Sequence, residues 1–150
     1  MLSCMIPRLD KQVTGNVGLY YCCYQLSLRG WNVMPTARNA KGVDIIIYDA
    51  DAKAYKGIQV KTLSARNDVP LGSSLSIMGD FWVILTDAAK VTPKVFVLTP
   101  EQVRAGAVKN EKDGRVSYWL SRKHYEQPHF LEAWAQIGFG HPVSETPLGS

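Results

Sequence analysis

No stretch of this chain stays apolar for the roughly 20 residues that a bilayer-spanning helix needs. Its first seven residues lack the long apolar core of a secretory signal. Membrane insertion and export are therefore not expected, and a cytoplasmic location is. Cysteine is scarce: Cys4, Cys22 and Cys23 make an odd count, with two adjacent and none in a metal-ligand spacing. That pattern excludes a disulfide framework and leaves reduced thiols packed on a helix. His124, His129 and His141 are also outside any metal spacing. A Ser-His-Asp signature, a P-loop and a dinucleotide fingerprint are all missing, as are internal repeats and low-complexity blocks.

What is present fits one folded unit. The chain has 150 residues, read as a single domain over 1–140 and a flexible tail, rich in Pro, Gly and Ser, over 141–150. Its hydrophobic fraction of 46% and charged fraction of 20% are those of a globular protein. The net charge of +4 is compatible with a nucleic-acid partner without requiring one.

The chain opens on a helix at 11–29, with Thr14-Gly15-Asn16 as an alternative start because Thr and Asn cap well, its apolar side chains nearly all round, expected to be heavily buried and to end at Gly30. Strands follow at 31–36, 43–48 and 55–62, the last two forming a hairpin in the middle of a sheet. A long loop at 64–79 leads to buried strands at 81–86 and 94–98. Thr99-Pro100-Glu101 starts a short helix, because Thr caps well and Pro suits the first turn. A charged turn at 110–115, a strand at 116–120 and a short amphipathic helix at 130–137 complete the chain. Trp31, Trp82, Trp119 and Trp134 are expected in the core. Lys109, Lys112, Arg115, Arg122 and Lys123, interleaved with acids, read as solvated surface. The order predicts an α/β fold, with a central mixed β-sheet flanked by helices.

One constellation points to chemistry. Asp44 stands beside the apolar run Ile45-Ile46-Ile47, where a carboxylate is costly unless solvated, paired or bound to metal. Gln59 and Lys61, two apart on the return strand, face the same side. A turn centred near Ala52 puts Asp44 opposite Gln59 or Val60. The plain alternative is a turn aspartate with Lys61 as its salt-bridge partner.

The stretch from Thr14 to Ser64 resembles the PD-(D/E)XK nuclease superfamily. The likeness lies in Gly15-Asn16-Val17-Gly18-Leu19-Tyr20-Tyr21, Leu26, Arg29-Gly30-Trp31-Asn32-Val33, Gly42-Val43-Asp44-Ile45-Ile46-Ile47 and Ile58-Gln59-Val60-Lys61-Thr62. The resemblance implies a restriction endonuclease-like core and a metal-dependent DNA endonuclease. By it, Asp44 and Gln59 hold Mg²⁺ or Mn²⁺, and Lys61 orients the attacking water. Two positions depart from the family pattern. Gln59 stands where an acid is usual, and Leu19 stands where many members carry a helix glutamate. Asp10 or Asp80 could supply the missing carboxylate.

Around this set, Arg38, Asn39 and Lys41 precede Asp44, and Ser64, Arg66 and Asn67 follow Lys61. The residue types suit phosphate and base contacts, and Arg38, Asn39, Lys41, Ser64 and Arg66 are the candidates for gripping DNA. Cutting both strands of a duplex implies a homodimer or higher oligomer. The rival expectation is a domain of the same fold that binds nucleic acid or a protein partner without cleaving, favoured by Leu19 and Gln59. A third possibility is an interaction module such as an inhibitor or immunity factor, with no salt-dependent affinity for DNA.

Overall fold

The computed structural model describes residues 8–37 and 42–142. In chain order the elements are α1 (Lys11–Leu28), β1 (Asn32–Pro35), β2 (Ile45–Tyr48), β3 (Tyr55–Thr62) and β4 (Val69–Gly72). After them come β5 (Phe81–Thr86), β6 (Lys94–Leu98), α2 (Pro100–Ala105), β7 (Ala107–Lys112), β8 (Arg115–Leu120) and α3 (Arg122–Tyr125). A single 3₁₀ turn, Trp134–Gln136, lies near the end of the described chain.

The main sheet has the order β1-β2-β3-β5-β6. Only the β3–β5 pair is parallel, so the sheet is mixed as expected, with the β2–β3 hairpin near its middle. A second, antiparallel sheet has the order β4-β8-β7.

Period-two alternation divides the apolar residues of the main sheet between two cores. On one face Ile45, Ile47, Ile58, Val83 and Leu85 are fully buried against Cys22 and Leu26 of α1. On the other, Trp82, Ile84, Phe96 and Leu98 meet Val69 and Leu120 of the second sheet and Val103 of α2. Each such aliphatic side chain stabilises the fold by about 1.5–3 kcal/mol through area removed from water.

Local signals explain the element ends. The Asp10 carboxylate accepts from the Val13 N–H at 2.8 Å and caps α1, while Gly30 at φ +83° closes it. At α2 the Thr99 hydroxyl accepts from the Gln102 N–H, and the Gln102 side chain accepts from the Thr99 N–H at 2.9 Å. That is a reciprocal capping box.

The structure corrects several expectations. α1 is not buried all round: only Thr14, Gly18, Cys22 and Leu26 are buried. It lies on a single sheet, which covers one stripe of four-residue spacing and no more. The loop over 64–79 contains β4, which the second sheet captures by pairing with β8. The charged turn expected at 110–115 is mostly strand, because the reversal takes only Asp113 and Gly114, both at positive φ. α3 was not foreseen. No α-helix forms over 130–137. The Phe130 carbonyl and the Glu132 N–H bond instead to the edge of β6, at Val97 and Val95, and Glu132 sits at φ +51°. Trp31, Trp82 and Trp134 are core residues, but Trp119 is exposed.

Candidate active site

Asp44 immediately precedes β2, and its backbone is fixed from both sides. Its N–H donates to the Ile58 carbonyl and its carbonyl accepts from the Thr36 N–H, each at 2.9 Å. The Thr36 hydroxyl adds a 2.7 Å bond to the Val43 carbonyl. The carboxylate therefore projects from a main chain that continues the sheet ladder.

The register pairs Ile45 with Ile58, which sets Asp44 beside Gln59. Both expected neighbours are reached. Asp44 Oδ2 accepts from Gln59 Nε2 at 2.6 Å and from the Val60 N–H at 2.7 Å. Two charge-assisted bonds on one oxygen hold the carboxylate in orientation. Among the described residues Oδ1 accepts no hydrogen bond, so one oxygen of the pair keeps its lone pairs.

Lys61 is two residues beyond Gln59 on β3, and its Nζ lies 5.4 Å from the centre of the Trp82 ring. Among the described residues no carboxylate is within ion-pair distance of it. The salt-bridged Asp44–Lys61 pair is thus not what forms. The ammonium rests on an aromatic face, a weak hold that leaves its three donors available.

Asp44, Val60 and Thr62 line a cleft of about 620 Å³ whose opposite wall is the first half of α1. Leu19 is on that wall and so lines the same cleft as Asp44, whereas Gln59 and Lys61 are not among the residues that line it. The proposed substitutes are committed elsewhere: Asp10 caps α1, and Asp80 accepts from the Gly57 N–H at 2.7 Å. Among the described residues no three His, Cys, Asp or Glu side chains gather where they could hold a metal. The donors on hand are a carboxylate and an amide, all oxygen and with one formal negative charge. Such a set suits a hard divalent cation that keeps most of its water.

Sequence reasoning missed part of the cleft. Gln12, Asn16, Tyr20 and Thr36 line it, and the Gln12 amide donates to the Asn16 side chain at 3.1 Å. The signal was readable: Gln12 and Asn16 are polar residues four apart, on one side of the helix.

The proposed DNA-gripping residues are not all brought together. Arg38, Asn39 and Lys41 lie outside the described residues. Ser64 is exposed in the bend after β3. Arg66 is held by Glu126 through two parallel bonds of 2.8 Å, from Nε and Nη2. That fork raises the guanidinium pKa and holds the Glu126 carboxyl below its ordinary range. Cys22 is buried and its thiol is pushed up, first by burial and then by the neighbouring Cys23 and Asp44 charges. Burial raises the Cys23 thiol as well. Burial thus disfavours the thiolate form of both.

No protein-family model matches the chain, and no curated protein matches it. Among solved structures, a bacterial homing endonuclease aligns with it at a TM-score of 0.54 and 16% identity, over 86% of this chain and 93% of that one. At that identity the likeness is one of fold: the chain has a mixed α/β architecture shared with a homing endonuclease.

Proposed function

We propose that this protein is a metal-dependent DNA endonuclease of the PD-(D/E)XK type, built on a restriction endonuclease-like core. The observation that carries this reading is the Asp44 carboxylate fixed 2.6 Å from Gln59, with Lys61, unpaired among the described residues, two residues on. It is supported by the fold shared with a homing endonuclease.

Asp44 and Gln59 are the residues that hold Mg²⁺ or Mn²⁺, through oxygens not spent on each other. The bound cation supplies Lewis acidity toward a phosphodiester and a lowered pKa for its water. Lys61 would orient an attacking water and offset negative charge as it builds on phosphorus. The Val60 N–H and the Gln59 amide keep Asp44 aimed, so little reorganisation accompanies the reaction. Arg38, Asn39, Lys41 and Ser64 contact the strand. Arg66 contributes through the fold unless it releases Glu126. The partner is DNA, and two or more copies cut the two strands.

One observation favours a second reading. The cleft holds Leu19 where a second acid belongs, which fits a domain that binds nucleic acid without cleaving it.

Supercoiled-plasmid nicking with Mg²⁺ or Mn²⁺ separates the two. The wild type is expected to nick, and Asp44→Ala and Lys61→Ala each to lose about 10²-fold or more. Nicking that survives both substitutions would place the chemistry elsewhere. Salt-dependent DNA binding without nicking would establish the second reading.

A further inference from the structure

β7 and β8 form a hairpin closed by Asp113 and Gly114, at φ 52° and 73°; β4 flanks β8 at Tyr118–Leu120, and the hairpin runs on as a two-stranded ribbon over 110–112 and 115–117. Side chains alternate between its faces. Leu120 on the inner face is fully buried, and Tyr118 and Val116 beside it are half-buried. On the outer face the register sets Val108 against Trp119, Asn110 against Ser117 and Lys112 against Arg115. None of these six is buried; Trp119 is 39% exposed and Val108 56%.

Two features of this face cost the free protein stability. Like charges directly opposite each other on an antiparallel pair repel, and Lys112 faces Arg115. Among the described residues neither has a carboxylate within ion-pair distance, although Asp113 stands in the turn between them. Glu111 lies on the other face and pairs with Lys109 at 3.9 Å. The second cost is a tryptophan left in solvent, its indole N–H bonded only locally to the Ser117 hydroxyl. An anionic partner relieves the first, and one that packs on the ring face relieves the second.

We propose that the outer face of the β7–β8 ribbon reads duplex DNA in the major groove. This rests on the endonuclease reading above and adds the surface that selects its target. Strands about 4.8 Å apart make a ribbon that enters a groove about 12 Å wide, and the three residues per strand that β4 does not flank span roughly 10 Å along it. Asn110 can pair with an adenine edge, Arg115 or Lys112 with guanine or a phosphate, and Val108 with a thymine methyl. Duplex RNA is not the partner, because its major groove is too narrow for side chains to read.

The test is selection from a random-sequence DNA duplex library by the full chain without divalent metal, followed by binding of the enriched duplex across a salt series. The wild type is expected to enrich a motif. Asn110→Ala should relax one or two positions of it, with about a tenfold loss of affinity. Lys112→Ala and Arg115→Ala should each weaken binding and reduce the salt slope by about one. All three positions are exposed, and an unchanged melting temperature confirms that each variant is folded. The proposal is overturned if motif, affinity and slope are the same in the variants as in the wild type. Preference for duplex RNA overturns it too. In either case nicking that depends on Asp44 stands or falls separately, so a failed ribbon is distinguishable from a failed nuclease.

Discussion

Gly18 decides how closely α1 approaches the sheet. A Cβ built there falls 1.7 Å from Thr62 Oγ1 and 2.8 Å from Thr62 Cβ. Glycine inside a helix costs about 1 kcal/mol against alanine, so the close approach must return more than that. Gly15, three residues earlier, has nothing within 4 Å of the same hypothetical atom. The two glycines should therefore respond with opposite sign. Gly18→Ala is expected to destabilise the fold by about 1–3 kcal/mol, since the β-branched Thr62 cannot swing its Cβ aside. Gly15→Ala should stabilise it by about 0.5–1 kcal/mol. Urea unfolding of both variants measures this, and equal shifts would mean that the α1–β3 contact is not tight.

At the scale of elements, the fork between Arg66 and Glu126 ties the connection after β3 to the end of α3. Arg122 stands 3.8 Å from the same carboxylate. The hydrogen-bonded guanidinium, first among the causes, lowers the pKa of Glu126 below its ordinary value. The sign follows from linkage. Ionised Glu126 favours the folded state at any pH above its ordinary value, and this contribution is lost as pH falls through the lower, folded-state value. The urea midpoint of the wild type should thus fall more steeply on acidification than that of Glu126→Gln, with the two curves converging at low pH. Parallel curves from neutral to strongly acidic pH would show that the pair contributes nothing.

For the whole molecule, the unburied side of α1 matters most. Val13, Tyr20, Tyr24 and Leu28 are 41–63% exposed, and Lys11 is the only charged residue in the helix. An aromatic, charge-poor surface is what the centre of a protein interface presents. The proposed two-strand cleavage calls for more than one copy, and this row is where we would place their contact. Light scattering should give a solution mass of at least two chains, and Tyr24→Glu should lower it toward one. A single-chain mass for the wild type at working concentration would remove the dimer from the proposal.

The sequence by itself determined what depends on local chemistry. Gly30 ends α1, the apolar run Val43–Tyr48 marks a buried strand, and the hairpin's fixed pairing sum brings Asp44 to Gln59 and Val60, whereas the start of α1 was legible only as Thr14-Gly15-Asn16 and is in fact capped by Asp10. Thr99 and Gln102 cap α2 from four consecutive residues. Tertiary structure decided everything that depends on what lies across space. Only packing chose which stripe of a helix with apolar residues on every side to bury, leaving Tyr20 and Tyr24 outside. Only the second sheet could turn residues 69–72 into a strand, since four residues with a proline and a glycine have little reason to extend alone. Backbone bonds to the edge of β6 claimed residues 130–132 before a helix could form. The cleft itself, with Gln12, Asn16 and Leu19 facing Asp44, exists because α1 crosses β3 at Gly18, a contact between residues 44 positions apart that no local propensity encodes.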